Sequence, residues 1–489
     1  MVRVNNKKEV AAVILLTILA ILITTQSVCF PLGQHINYSD GSVYQYIGHL
    51  ILQGKMPYKD AFDHKGPFLY IINAVASMLD IKHGIWFIDA VFMTTFWIFA
   101  YKVCRRFVNV ITSFIITATV MAQTVYSYWI GNTPDFYAAT LSIVVLYFLL
   151  DYYLLGDIKK VKILIGGILT SICFWMKPNT IAMIGVICLC ILIECIWTKQ
   201  FAKIIKFIFV FIAGFMIPTI ISIIWVVSHD SLTMMINDYF LFNMFYAGND
   251  ASIFAIVQTA LYFLRQPLIV TGILACGVYG FVTFFLKNTD SISGINKLMI
   301  VSCLAFFASL YVCISPGRSY QQYAMSILPL TVLLCGLTFK RIECKDGEYI
   351  YINIAIIVMV LHLFLPAMNR LGENQINNLR PDYIQNQVVN EIDLKTLGTD
   401  KIAIASPDHC GMYIWSERES ATTSPYIQAI MYDGKHRGFW VDYMSQIESS
   451  KAQAIVWNNN WNINDYLGEI LDNYELQLDA GKISLYIRN

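Results

Sequence analysis

An acid and a lysine-bearing turn bracket one short helical stretch early in this 489-residue chain. The segment reads His35-Ile36-Asn37-Tyr38-Ser39-Asp40-Gly41-Ser42, continues through Gln45 to Gln53, and turns at Gly54-Lys55-Met56-Pro57-Tyr58. It closes with Asp60-Ala61-Phe62-Asp63-His64-Lys65-Gly66-Pro67. A carboxylate within hydrogen-bond reach of a hydroxyl can serve as a general base. A lysine ammonium is a point charge suited to phosphate, and a neighbouring histidine can orient it. Each residue also has a structural reading. Ser39, Asp40 and Ser42 are all good N-cap residues, so Asp40 could simply cap the helix that follows. Lys65 could be an interfacial lysine that snorkels to the headgroups.

The elements that must hold these residues are set by composition. The chain is 57% hydrophobic and 14% charged, with mean hydropathy +0.57. Soluble domains carry about a quarter charged residues, so the bilayer is the expected solvent. A net charge of +1 gives no footprint for nucleic acid. The 12 cysteines are scattered through apolar runs, with no C-x-x-C pair and Cys410 alone in the polar region, so neither a disulfide framework nor a zinc site is expected.

Apolar runs of roughly 20 residues place spans near 9–30, 85–103, 107–126, 136–154, 162–176, 179–198, 206–227, 267–286, 298–315, 323–339 and 349–367. The stretch 68–80 could dip into the membrane. The first run has a long apolar core and no small-x-small site after it, which reads as an uncleaved anchor. Placing the N-terminus inside puts roughly seventeen Lys and Arg, Lys7, Arg105, Arg106 and Lys162 among them, on cytoplasmic turns, against about seven on short outer loops. The expected fold is therefore an all-α polytopic membrane protein of about eleven transmembrane helices, N-in and C-out, over residues 1–367. Its outer loop is 31–84, and residues 368–489 are expected to form a small extracytoplasmic α/β domain. Strands are expected at 401–405, 412–415, 454–457 and 482–487, with helices near 437–449 and 463–473. Within 43–56 the apolar residues recur at helical spacing, as for a helix lying on the membrane interface. Such a helix would hold Asp40 on one side and Asp63-His64-Lys65 on the other.

These residues resemble the first outer loop of the GT-C membrane glycosyltransferases. The likeness is to the protein O-mannosyltransferase-like family (glycosyltransferase family 39) and to bacterial lipid A aminoarabinose transferases. It rests on Asp40 after the first span, the G-K-M-P-Y turn and F-D-H-K-G-P. Further short elements follow in order. Gly131-Asn132-Thr133-Pro134-Asp135 resembles the family's G-N-x-x-E. Trp175-Met176-Lys177-Pro178 resembles its K-P element. Ser315-Pro316-Gly317-Arg318-Ser319-Tyr320-Gln321-Gln322-Tyr323 resembles its S-G-R-x-Y-x-H-Y. All fall on outer loops or outer span ends in the topology drawn from charge alone. The chain departs from the pattern where Gly41 follows Asp40 in place of a second acid, where Asp135 stands for Glu, and where Gln322 stands for His.

The resemblance implies a membrane glycosyltransferase that moves a sugar from a polyprenyl-phosphate-linked donor to an extracytoplasmic lipid, glycan or protein. Displacing the lipid phosphate at the anomeric carbon with inversion needs a base, here Asp40, with Asp135 as a second catalytic acid. Charge returning to the phosphate needs fixed cations, which the resemblance assigns to Lys65, Lys177 and Arg318 with His64 as an orienting donor. Asp63, Tyr58, Asn132, Tyr320, Gln322 and Tyr323 would support them. No cofactor or metal is indicated; Asp40 and Asp135 could share a divalent cation, yet no ligand spacing demands one. The expected location is a bacterial plasma membrane, with the site on the outer face and the bilayer, donor and acceptor as partners. Two other classes remain open on the residues: a transporter or flippase of lipid-linked sugars, and a polysaccharide polymerase or ligase. The intramembrane acid Asp89 is expected to pair with Lys82 or His83 or to serve function. Glu194 is expected to snorkel near Lys199, Asn237 to Tyr246 to anchor at the interface or line a groove, and Asp408 and His409 to form an ordinary loop.

Overall fold

The computed structural model describes residues 6–128, 131–244, 252–285, 293–343, 356–380, 383–427, 437–460, 463 and 467–489. Helix α1 (Asn6–Thr24) leads into α2 (Asp40–Leu52) and α3 (Pro67–Leu79), on the loop expected to lie outside. The bundle continues with α4 (Gly84–Arg105), α5 (Val110–Gln123), the short α6 (Val125–Tyr128), α7 (Pro134–Leu155), α8 (Lys160–Phe174), α9 (Ala182–Trp197) and α10 (Phe201–Ser228). Pro267–Phe285, Ser293–Ile314 and Leu328–Glu343 complete the large helices before the polar region.

Among the described residues, nine helical segments are long and apolar enough to cross a membrane, and each matches an expected span. The other two expectations, 9–30 and 162–176, correspond to α1 and α8. Helix α1 opens with Lys7, Lys8 and Glu9. Helix α8 has 15 residues, about 22 Å at 1.5 Å per residue and short of a hydrocarbon core of roughly 30 Å. The expected span at 349–367 begins outside the described residues. The stretch expected to dip into the membrane is α3, a shorter apolar helix.

Ion pairs gather the expected cytoplasmic charges at one end of the bundle. Arg105 pairs with Glu9 at 2.8 Å, while Arg106 and Lys162 both grip the buried Asp151, at 2.9 and 2.5 Å. Lys206 meets Asp157 at 2.8 Å, and Glu194 meets Lys297 at 2.7 Å, a partner on another helix where Lys199 was expected.

The C-terminal region forms a five-stranded sheet in the order β2-β1-β3-β5-β4. Its strands are β1 (Lys401–Ile404), β2 (Glu419–Ser420), β3 (Ala454–Asn458), β4 (Tyr474–Asp479) and β5 (Ile483–Arg488). Strand β1 pairs parallel with β2 and β3, and β5 pairs antiparallel with β3 and β4. Met412–Trp415, expected as a strand, is instead part of the helix Gly411–Trp415. A short continuous apolar run fits a buried helix as well as a buried strand, and periodicity cannot separate them. Strand β4 was not foreseen, because it is a largely exposed edge strand with little apolar signal; the described part of 463–473 is a 3₁₀ helix from Gly468 to Asn473.

Helix α2, expected to lie on the membrane interface, is largely covered by protein. Val43, Tyr44, Tyr46, Ile47 and Leu50 are all buried. One face packs on α3, and the other receives the C-terminal domain: Ser42 Oγ donates to the Pro407 carbonyl at 3.0 Å, and Tyr46 stacks on Tyr413 with centroids 4.5 Å apart. The apolar recurrence that suggested lipid contact is satisfied by protein on both sides.

Candidate active site

Asp40 is the first residue of α2, and Ser39 is the cap: its hydroxyl accepts from the Gly41 amide at 3.2 Å. The capping role that competed for Asp40 is thus filled by its neighbour. Asp40 is solvent-accessible, yet protein surrounds it closely enough that burial raises its carboxyl above the usual range, with Lys65 opposing. Asp40 is thus both accessible and partly desolvated. Lys65, Asp63, Lys177 and Asp135 all act on it electrostatically.

The polar network behind α2 fixes where Asp40 sits. Gly131 and Asn132 adopt left-handed backbone (φ 76° and 47°), and a Cβ at Gly131 would lie 2.6 Å from Asp89 Oδ2. Asp89 accepts from the Asn132 amide at 3.0 Å and from the Tyr137 hydroxyl at 2.6 Å. The Asn132 side chain donates to the Gly41 carbonyl and to Asn73 Oδ1, both at 2.8 Å. Asp89 therefore partners Asn132 and Tyr137, while Lys82 lies over Trp415 and His83 lies near Asp80. A buried acid sits best where several donors converge, and Lys82 and His83, expected to pair with it, are half-buried against other partners.

The Asp63-His64-Lys65 turn is held from several directions. Tyr58 adopts left-handed backbone (φ 69°), strained for a bulky residue, and its hydroxyl donates to the Lys65 carbonyl at 2.8 Å. Asn243 donates to the His64 carbonyl at 2.6 Å, and Phe242 packs on Phe62 and His64 with ring centroids 5.3 Å away. The described part of the aromatic segment thus buttresses the turn; Phe245 and Tyr246 lie outside the described residues. Gly66 sets the turn against Trp175-Met176-Lys177. Its amide donates to Met176 O at 3.1 Å, and a Cβ there would fall 1.8 Å from the Trp175 carbonyl. This contact brings Lys177 to the Lys65 turn.

Within the turn, Lys65 Nζ donates to His64 Nε2 at 2.5 Å and lies 5.9 Å from the Tyr44 ring centroid. Burial, then Lys65, pushes His64 down to about 3, so it is neutral and accepts the lysine's proton through Nε2. Burial also lowers Lys65, against the pull of Asp63 and Asp40. Burial opposes ionisation of Asp63, but Lys65 and hydrogen bonds from Tyr426 and Tyr70 outweigh it and hold the carboxyl below its usual range.

Asp135 and Lys177 form one unit. Lys177 Nζ is 2.8 Å from each Asp135 oxygen and 3.8 Å from the Tyr323 ring centroid. A cation shared by Asp40 and Asp135 would have to displace that lysine. The described residues hold no group of three or more His, Cys, Asp or Glu positioned as metal ligands. Arg318 is half-buried and acts electrostatically on His64 and Tyr323. Tyr320 is exposed and meets Tyr323 edge-on at 5.5 Å, and Gln322 is half-buried in the 3₁₀ helix Gln321–Ile327.

The C-terminal domain contributes residues that no motif signalled. Tyr426 donates to Asp63 Oδ1 at 2.7 Å, opposite Tyr70, which donates to Oδ2 at 2.7 Å. Asp408, exposed on the segment docked against α2, is raised to about 6 by burial and by Asp40. Asp238, on a π-helical turn, is raised to about 7 by burial and by Asp63. Only the π-helical irregularity, frequent at functional sites, could have drawn notice, and it is invisible in sequence.

Comparison with known proteins bears on the whole chain. The family model described as the competence-induced protein Ccs4 N-terminal domain matches residues 3–348. No curated protein matches the sequence. The crystal structure of ArnT from Cupriavidus metallidurans bound to undecaprenyl phosphate is similar over 97% of both chains, with TM-score 0.66 at 12% identity. The same protein in its apo state is similar over 97% of both chains, with TM-score 0.62 at 12% identity. The chain thus shares the fold of ArnT.

Proposed function

This chain belongs to the competence-induced protein Ccs4 N-terminal domain family, and we propose that it is a membrane glycosyltransferase using a polyprenyl-phosphate-linked sugar. The observation that carries the reading is the convergence of Asp40, the Asp63-His64-Lys65 turn and the Asp135–Lys177 pair in one electrostatic group, with Asp40 accessible, on an ArnT-like fold. Asp40 takes the acceptor hydroxyl's proton as the anomeric carbon is attacked. Lys65, with Arg318 nearby, holds the donor phosphate and stabilises the charge that returns to it as the glycosidic bond breaks. His64 supplies no proton; it orients Lys65. Asp135 and Lys177 act together, the acid setting the lysine's position beside the phosphate. The acceptor is an extracytoplasmic lipid, glycan or protein, and the site faces outward from the plasma membrane.

The test is donor consumption. Purified full-length protein is incubated with polyprenyl-phosphate sugars and cell-envelope acceptor fractions. One donor should be consumed, and Asp40→Asn should lower that rate by about 10²–10⁴ while the protein still inserts and melts normally. Transfer at the wild-type rate by Asp40→Asn would remove the base, and inertness toward the whole panel would remove the reaction.

A further inference from the structure

We infer that the C-terminal domain is part of the donor clamp, with Tyr426 as the positioning residue that sets Lys65 through Asp63 and His64. The chain of contacts is continuous. Tyr426 and Tyr70 each donate to one oxygen of the buried Asp63 carboxylate at 2.7 Å. His64 Nδ1 lies 3.6 Å from Asp63 Oδ1, and His64 Nε2 accepts from the Lys65 ammonium. Because Nε2 accepts, the ring proton sits on Nδ1, facing the carboxylate. At 3.6 Å the Asp63 carboxylate makes an electrostatic contact with Nδ1, beyond hydrogen-bond distance, and its charge favours the tautomer with the proton on that nitrogen. The other nitrogen, Nε2, then aims the lysine. Tyr426 lies 363 positions after Asp63 in sequence and comes from a different layer of the molecule. The outer domain therefore acts on the charge that would meet the phosphate, without itself touching the donor.

Other contacts seat the domain on the same side of the outer loop. Lys55 pairs with Glu419 at 2.6 Å, the Phe62 amide donates to Thr423 O at 2.8 Å, and the Ser420 amide donates to the Tyr46 hydroxyl at 2.8 Å. The last is an interdomain hydrogen bond that touches neither Asp63 nor Lys65, so it separates general docking from positioning.

The inference rests on Lys65 as the phosphate-binding cation, and the experiment keeps the two apart. Undecaprenyl phosphate is titrated into the full-length protein and its Tyr426→Phe, Tyr70→Phe, Tyr46→Phe and Lys65→Ala variants. Tyr426→Phe and Tyr70→Phe should each weaken binding about tenfold, the scale of a hydrogen bond to a charged group. Tyr46→Phe should bind as the wild type does. A pH series supplies a readout that domain loosening alone would not move. The titratable groups around Asp63 are His64 and Lys65 on its own turn, Asp40 and Tyr44 on α2, and Tyr58 and Tyr70. Asp238 and the outer domain's Cys410 and Tyr426 complete the set. Losing one donor to Asp63 favours its protonated form, so binding should fail at a higher pH on the acid side in Tyr426→Phe than in the wild type. Unchanged affinity in both Tyr426→Phe and Tyr70→Phe, or equal losses in Tyr426→Phe and Tyr46→Phe, would overturn the inference. Wild-type protein that binds no undecaprenyl phosphate, or Lys65→Ala that binds it normally, would overturn the functional reading beneath it.

Discussion

At the scale of single residues, the two central groups are shifted toward each other. Burial raises Asp40 and lowers Lys65, each against the attraction of the other. In the proposed reaction Asp40, as the base, must be ionised and Lys65, as the clamp, protonated, so kcat/KM should rise with pH through Asp40's raised value. It should fall as pH passes Lys65's lowered value. The resulting bell should be narrower than the reference interval between about 3.9 for Asp and 10.4 for Lys. A profile flat down to the ordinary aspartate range would exclude Asp40 as the group titrating on the acid limb. Asp40 and Lys65 were legible in sequence because each sits in a short polar stretch of a chain with little charge to spare. Tyr426, Tyr70 and Asp238 were not, since a tyrosine or aspartate in an unremarkable stretch gains meaning only from what folding brings beside it.

Among the elements, the outer loop works through close approach. The turn at Gly66 lies against the carbonyl of Trp175 so tightly that no side chain fits. Gly66→Ala should push the Lys65 turn away from Lys177, lowering stability by about 1–3 kcal/mol. A detergent-solubilised melting curve measures the loss of stability, and titration with undecaprenyl phosphate reads the displacement of the turn as weaker binding; an unchanged melting temperature together with unchanged binding would contradict the contact. The spacing of apolar residues in 43–52 showed a helix, and α2 is one. It could not show what covers that helix, because lipid and protein satisfy an apolar face equally well. The same limit explains Met412–Trp415, where burial on every side erases the alternation that marks a strand. Asp89 illustrates the opposite case: an acid inside a span announced itself by type, but its partners, Asn132 and Tyr137, lie 43 and 48 positions away.

Across the whole molecule, charges sort into two groups. Glu9, Arg105, Arg106, Asp151 and Lys162 meet in one set of ion pairs, Asp40 belongs to another group, and the lysine and arginine count proposes that the first is cytoplasmic and the second outside. Cysteines introduced at the exposed Asp157 and Lys451 should therefore label from opposite sides in intact cells: Lys451→Cys with an impermeant maleimide, Asp157→Cys only after permeabilisation. Labelling of both from outside would invert or abolish the proposed orientation. The Asp135–Lys177 pair has one more consequence. With His64 neutral, Asp40, Asp63 and Asp135 balance Lys65, Lys177 and Arg318, leaving this set with no net charge. In the proposed transfer, Asp40 loses its negative charge by accepting a proton just as the departing lipid phosphate gains one. The total never changes. A single unit of charge crosses the site from acid to phosphate, and the protein around it meets each turnover as a displacement of charge with no new ion to solvate.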